Sequence, residues 1–531
     1  MAALPRAQDR TAELEESNRK LSPPRMIAKV RHVAFDVALL QMPLFLLLLA
    51  SAAVFEAQQL SSLSSLTGGD IWWHLQTGLW ILQNHALPHN GIYSQATNLP
   101  WTAASWSYDL LVAVGYKLLG LRSLPVLLMC FKVLLAAATF LLAGGLRGAF
   151  WAAAALSAVA QYVLGSVPLG SGNASILLFA VELLLLHQSR RKSSAGPLFW
   201  LPLVFLIWVN LDVQFVYGIL LLALFSAVAL VEQFGRSSEA PQLQRWPATS
   251  PLSLGTPLAL SLLATFFTPY FYRPYGIFFA RITSTAIQYF PDFHAMSFHR
   301  PQDYVLLLLA MAAFLALGLR RSRDPFQIGV LAGCAILSFH AQRDTWAVAL
   351  ASIAVLAEAS LSNARTTGQD VNPGTSEAPG KGASRPLLYA VLTSPLVLAV
   401  FLFAVSRIPG HDALLAKIGQ SYPVEACDFI REHGLPRPLF NTYEWGGFLM
   451  WYLPTYPVAI DGRTDLYGDD FNTTYAKVMA ADLPYTTFPA MTQAGTLLLR
   501  RNSLMADALS TLPHFKVAHS DNVAVVLLPQ E

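Results

Sequence analysis

The stretch Gly68-Gly69-Asp70-Ile71-Trp72-Trp73-His74-Leu75 sets a carboxylate, two indoles and an imidazole within little more than one helical turn. Asp70 and His74 stand four residues apart, so on a helix they share one face. A carboxylate able to take or orient a hydroxyl proton, beside aromatic faces on which sugar rings stack, suits carbohydrate chemistry. A plainer reading is also open: Trp72, Trp73, Trp101 and Trp106 as an interfacial aromatic belt, with Asp70 as a helix N-cap. A second cluster, Asp461-Gly462-Arg463-Thr464-Asp465, follows an expected strand, where α/β sites often form, with Trp445-Gly446-Gly447 shortly before it. Asp461 and Arg463 read either as ligand-binding groups or as a local ion pair.

The elements that must position these groups are mostly apolar. Of 531 residues, 54% are hydrophobic and 13% charged, roughly half the ~25% charge of a soluble domain. Apolar runs of about 14–22 residues recur from Val37 to Val405, the signature of a polytopic α-helical membrane protein. A net charge of +3 gives no case for a nucleic-acid partner. Cys130 and Cys334 lie in apolar runs and Cys427 is alone in the polar tail, so neither a disulfide framework nor a cysteine metal site is expected.

Residues 1–36 are polar and basic, and the first apolar run, Val37–Phe55, is about twice as long as a signal-peptide core. The expected organisation is a cytoplasmic N-terminal segment (1–36), a transmembrane helical domain (37–361) with a first outer loop at 56–106, a flexible cytoplasmic linker (362–385), a last transmembrane helix (386–406) and an exported small soluble α/β domain (407–531). Basic clusters at Arg190-Arg191-Lys192, Arg236 with Arg245, Arg320-Arg321-Arg323 and Lys381 with Arg385 mark inner loops. Parity then requires one apolar segment not to cross. The choice falls on 107–120, which is short and carries Asp109, Tyr116 and Lys117, with 149–165 or 174–188 as alternatives. About eleven crossings result. Polar groups then collect on the outer face, in loops 56–106 and 269–303, the turns at Gly170–Asn173, Asn210–Gln214 and His340–Asp344, and the tail.

In the tail, Val424–His433 and stretches near 446–453, 470–481 and 503–511 read as helices. Pro438–Thr442, Val458–Asp461, Thr496–Arg500 and Val523–Leu528 read as strands. No glycine-rich phosphate loop opens a tail helix, so a nucleotide cofactor has no support. Lys132 and Glu182 sit near the middle of apolar runs, where a lipid-facing charge costs about 2.5–3.5 kcal/mol on insertion scales. They are expected to pair inside the bundle; the other reading has Lys132 snorkelling and Glu182 neutral.

The run Asp70–Leu75, the stretches Trp208–Gln214, Thr268–Tyr270 and His340–Asp344, and the tail motifs Asn441–Gly447 and Ile460–Arg463 together resemble a group of bacterial multi-spanning membrane proteins. That group is similar to the C-type glycosyltransferase superfamily, which includes protein O-mannosyltransferases and aminoarabinose transferases. The resemblance implies an inverting enzyme on the outer face of a bacterial inner membrane. It would move a sugar from a polyprenyl-phosphate donor to a glycan, lipid or protein acceptor of the envelope.

By position, Asp70 maps onto the general base or metal-contacting carboxylate of that superfamily. Trp72, Trp73, His74, Asp109, Asn210, Asp212, Asp461 and Arg463 are the accompanying substrate-side candidates. The leaving phosphate needs a cation. Arg343, near His340 at an outer helix end, is the first choice because guanidinium matches phosphate geometry; Arg273, His299 and Arg300 come second. Arg343 also reads as an anchor paired with Asp344. Ala104 and Ser105 stand before Trp106 where related sequences commonly carry an acid or His, and Asp212 stands where His is usual. A divalent metal ion, the one cofactor this set admits, would draw on Asp70, His74, Asp109 or Asp212. The alternative function is a non-catalytic membrane protein that binds lipid-linked glycan during envelope assembly. A transporter ranks last, since transporters place ionisable groups at mid-membrane in matched halves.

Overall fold

The computed structural model describes residues 41, 43–54, 68, 70–147, 150–165, 167–192, 194–234, 251–290, 293–322, 324–366 and 384–530. The N-terminal segment 1–36, linker residues 367–383, and Arg236, Arg245, Arg323 and Lys381 lie outside the described residues.

The chain is mostly helical. It begins with α1 (Pro43–Val54), α2 (Asp70–Asn84), α3 (Trp106–Leu119), α4 (Ser123–Leu142), α5 (Phe150–Val163), α6 (Gly172–Lys192) and α7 (Leu201–Leu211). It continues with α8 (Phe215–Phe234), α9 (Pro251–Ala264), α10 (Arg273–Thr283), α11 (Pro301–Leu319), α12 (Pro325–His340), α13 (Thr345–Thr366) and α14 (Ser384–Ser406). By length and composition, four described helical stretches can cross a membrane, and up to five if the bent pair Ser394–Ser406 and His411–Ile418 is one span. Five shorter apolar helices accompany them: Pro43–Val54, Phe150–Val163, Gly196–Leu211, Leu254–Ala264 and Pro325–His340.

Helices α3 and α4 adjoin in sequence but fold back on each other. A Cβ on Gly115 would lie 3.5 Å from Ser123 and 3.6 Å from Leu127, although twelve residues of straight helix span about 18 Å. Gly120, at φ +59°, makes the reversal. The 14 residues of α3 reach about 21 Å, short of the ~30 Å hydrocarbon core. Its buried face is Tyr108, Asp109, Val112 and Ala113, and it packs along α2. Gly78 permits that approach, because a Cβ there would overlap the Asp109 backbone carbonyl.

Lys132 and Glu182 do not pair. Lys132 Nζ donates to the backbone carbonyls of Leu164 (2.5 Å) and Gly165 (3.3 Å), which follow the last turn of α5. A helix C-terminus leaves such carbonyls open and attracts a cation. Glu182 lies against Gly218 and Trp208 instead. Its two oxygens are buried without a hydrogen-bond partner among the described residues.

The C-terminal region comprises α15 (His411–Ile418), α16 (Val424–His433), β1 (Leu439–Asn441), α17 (Gly446–Tyr452), α18 (Asp469–Met479), β2 (Thr496–Arg500), α19 (Leu504–Ser510), β3 (Phe515–Ser520) and β4 (Ala524–Pro529). Its sheet has the order β1-β2-β4-β3, with β1 and β2 parallel and the other pairs antiparallel. The continuous apolar run Leu497-Leu498-Leu499 is buried on both faces, as an inner strand requires. Edge strand β3 carries Lys516 and His519, so its pattern is too polar to read as a strand from sequence.

The expected strand Val458–Asp461 does not join this sheet. The Asn441 side chain occupies its backbone, donating to Ile460 O at 2.8 Å and accepting from Ala459 N at 2.8 Å. Val458 pairs instead with the first loop: Val458 N donates to Tyr93 O and Gln95 N to Val458 O. The Gln95 amide adds a bond to Leu439 O at 2.7 Å. First loop and tail are therefore stitched together by backbone hydrogen bonds.

Candidate functional site

Helix α2 is the seam between the helical bundle and the tail. Trp72 is fully buried there, stacked on Trp451 of α17 at 4.9 Å and edge-on to Tyr422 and Phe448 at 5.7 and 5.4 Å. Trp101 is buried beneath Arg463, whose guanidinium stands 4.8 Å from its ring. Trp106 donates its indole N–H to Asn210 Oδ1 at 2.9 Å. Belt tryptophans need rings facing the interface, so the belt reading fails for Trp72 and Trp101, which hold protein to protein.

Asp70, the first residue of α2, is exposed. Its Oδ1 accepts the Trp73 indole N–H at 3.2 Å, and the Asp461–Gly462–Arg463 turn lies against it. One turn on, His74 is buried and shares a 2.5 Å contact between its Nδ1 and Asp109 Oδ1. Trp73 stacks on the His74 ring at 3.6 Å. The expected Asp70–His74 pair is thus divided: Asp70 faces solvent, while His74 is turned inward and held by α3.

Asp461 and Arg463 form a two-point ion pair, Nε to Oδ1 at 2.8 Å and Nη2 to Oδ2 at 2.7 Å, at zero side-chain exposure. Tyr467 donates to the same carboxylate at 2.7 Å, and Arg463 reaches Ile92 O at 3.0 Å. Burial pushes the Asp461 carboxyl up, but Arg463 outweighs it and leaves the group below its ordinary range. Arg463 thus holds the turn to the first loop through Ile92 O and Trp101, while its Nη1 is buried without a hydrogen-bond partner among the described residues.

Asn210 and Asp212 lie at the end of α7. Asn210 binds Leu206 O and Phe267 O and accepts Trp106. Asp212 accepts Ser171 at 2.9 Å and Ser175 at 2.6 Å, at the start of α6. Asp344, between α12 and α13, accepts Tyr217 at 2.9 Å and Gln214 at 3.3 Å. Arg343 and Asp344 share no hydrogen bond or ion pair among the described residues, although the Asp344 charge is the one that favours the guanidinium most. Its guanidinium sits over Phe293 at 4.7 Å and makes no hydrogen bond or ion pair among the described residues. Burial opposes its charge, and Asp344, Tyr217, Asp212 and Asp70 together outweigh that effect, raising its pKa. Asp344 acts on it most strongly and Asp70 least.

Arg281, on α10, is a residue the sequence reading missed. It is half-buried, has no hydrogen bond or ion pair among the described residues, and acts on Asp344 and Asp465. Asp465 is reachable by water yet surrounded: burial raises its carboxyl above the ordinary range, with Arg281 pulling the other way. The signal for Arg281 was present, because Arg273–Thr283 alternates polar and apolar residues at helical spacing inside what reads as a loop. Of the second-choice cations, Arg300 is bound to Asp303 at 3.2 Å at the start of α11. Arg273, His299 and His340 are exposed.

Among the described residues no three His, Cys, Asp or Glu side chains gather closely enough to hold a divalent ion. His74 and Asp109 face each other away from Asp70, and Asp212 is occupied by two serines.

No family model and no curated protein matches the chain. Among solved structures, it is similar to ArnT from Cupriavidus metallidurans bound to undecaprenyl phosphate, at 14% identity and a TM-score of 0.46, over 91% of this chain and 97% of that one. It is similar also to the Archaeoglobus fulgidus oligosaccharyltransferase in the apo form, at 12% identity and a TM-score of 0.46, over 86% and 69%.

Proposed function

We propose that the protein is an inverting membrane glycosyltransferase that uses a polyprenyl-phosphate-linked sugar. The observation that carries this reading is an exposed carboxylate, Asp70, held by the Trp73 indole against the Gly462 turn, together with a guanidinium, Arg343, that makes no hydrogen bond or ion pair among the described residues. Asp70 removes the proton of an acceptor hydroxyl. The acceptor oxygen then forms a bond to the anomeric carbon as the bond from that carbon to the phosphate oxygen breaks on the opposite side. The proton rests on Asp70, and the polyprenyl phosphate leaves with the bonding electron pair. Arg343 and Arg281 neutralise that phosphate, a role suited to guanidinium.

The site faces the outside of the bacterial inner membrane in this reading, with the N-terminus cytoplasmic and the C-terminal region outside. The short α3, folded back at Gly120, then lies at the interface instead of crossing, in keeping with a reading of about eleven crossings.

The test is release of undecaprenyl phosphate from a panel of undecaprenyl-phosphate-linked hexoses, N-acetylhexosamines and aminopentoses by the purified full chain. Turnover that falls by about 100-fold or more in Asp70→Asn, with undecaprenyl phosphate still bound, supports the base. Binding without turnover across the panel favours the non-catalytic glycan binder.

A further inference from the structure

We infer that Gly462 fixes the position of the Asp70 carboxylate, so that the C-terminal region completes the site instead of standing beside it. A Cβ at position 462 would overlap Asp70 Oδ1 and stand 3.0 Å from Trp73 Nε1 and 3.3 Å from Trp73 Cδ1. The φ of Gly462 lies outside the left-handed region, so the backbone does not demand glycine there. What the glycine supplies is room for the carboxylate. The turn that carries it does not yield: Asp461 and Arg463 are joined at two points, and the Arg463 N–H also donates to Asp461 Oδ1 at 2.9 Å.

Asp70 is the softer partner. It is exposed, and among the described residues the Trp73 indole is the one side chain that donates to it. Trp73 is itself backed by the His74 ring, which Asp109 holds. The carboxylate is therefore gripped between an indole N–H from α2 and a glycine from the tail. A methyl group at 462 meets two side-chain tips, so it displaces the carboxylate with little cost to the fold. A displacement near 1 Å in a reacting group costs about 100-fold in rate.

The experiment compares the full chain with Gly462→Ala and with Gly419→Ala, whose new Cβ would make ordinary 3.5 Å contacts elsewhere in the tail. The primary readout is the rate at which a water-soluble carbodiimide modifies Asp70, followed by peptide mass spectrometry. Thermal stability, undecaprenyl phosphate binding and turnover on the donor panel are read alongside. The expected result is a several-fold change in Asp70 modification in Gly462→Ala alone, with stability and lipid binding retained and kcat reduced about 100-fold at unchanged KM. Unchanged Asp70 modification overturns the inference; changed modification with full turnover overturns its kinetic consequence. If Gly462→Ala does not fold, oxidation of the Asp70→Cys, Gly462→Cys double variant decides: cross-linking supports the contact, and its absence overturns it. Only the kinetic consequence rests on Asp70 being the base. Full turnover in Asp70→Asn, or none in the unaltered chain, would remove that reading while the modification rates still decide the role of Gly462.

Discussion

Helix α6 joins two regions that handle arginine in opposite ways. At its C-terminal end, Arg190 reaches Asp324 at 2.8 Å and Glu232 at 3.4 Å, and Arg191 reaches Glu358 at 2.5 Å, with His187 3.6 Å from the same carboxylate. About 22 Å away along the same helix, Ser175 binds Asp212 on the side where Arg343 sits. There Arg343 and Arg281 have no hydrogen bond or ion pair among the described residues, even though Asp344 is next in sequence to Arg343. Charges that serve the fold are paired with carboxylates, because an uncompensated charge out of water is costly. Cations left without a hydrogen bond or ion pair are available to an anionic ligand.

Pairing, and not location, should then decide which substitutions unfold the protein. The largest effect is expected for Asp461→Asn, on the same side as the candidate site but fully paired. It strands the buried Arg463 charge at a cost of about 3–5 kcal/mol, read as a lower Tm at neutral pH. The Asp461 pKa is depressed in the folded state, so its stabilisation is complete above the unfolded value of ~3.9 and is lost as pH falls through the folded value. The difference between the two proteins should therefore shrink below about pH 4. A constant difference down to acid pH would show that the carboxylate's charge does not matter.

Next comes Asp324→Asn at the far end of α6. The Arg190–Asp324 pair is mostly but not wholly buried, so a loss of about 2–3 kcal/mol is expected, with undecaprenyl phosphate binding intact wherever both proteins are folded. Weakened binding at full stability would blur the contrast between the regions. The smallest effect belongs to Asp469→Asn. Asp469 of α18 accepts Ser284 at 2.6 Å and Thr285 N at 2.8 Å, and these bonds hold its carboxyl below the ordinary range. Its loss should cost about 0.5–1.5 kcal/mol and speed amide exchange in residues 284–290 without moving the global unfolding transition much.

Features set by local pattern were legible in the sequence. The expected helix Val424–His433 and strand Thr496–Arg500 have the same bounds in the structure, because an amphipathic period and a buried apolar run speak for themselves. Asp70 could be singled out from its neighbours in the chain. What eluded sequence reasoning depends on distant partners. Val458–Asp461 looks like a strand, but the Asn441 amide takes its hydrogen bonds. Lys132 found carbonyls at the end of α5 in place of Glu182. Trp72 looks interfacial until α17 covers it. Arg281 was hidden because 269–303 is too polar for a span and passes for a loop, although Arg273–Thr283 is an amphipathic helix.

The most direct test of the contrast is undecaprenyl phosphate binding by the purified full chain against Arg343→Gln, Arg281→Gln and the double variant, with Tm recorded for each. Neither guanidinium has a hydrogen bond or ion pair among the described residues to lose, and only longer-range attraction to Asp344 and Asp465 goes with the charge, so stability should fall by no more than about 1 kcal/mol. Affinity should fall about 10-fold for each single variant and further for the double, as expected when charge-assisted bonds worth ~1.5–3 kcal/mol are removed. Unchanged affinity in the double variant would contradict the account. So would a collapse in stability, which would mean that these arginines, like Arg190 and Arg191, serve the fold.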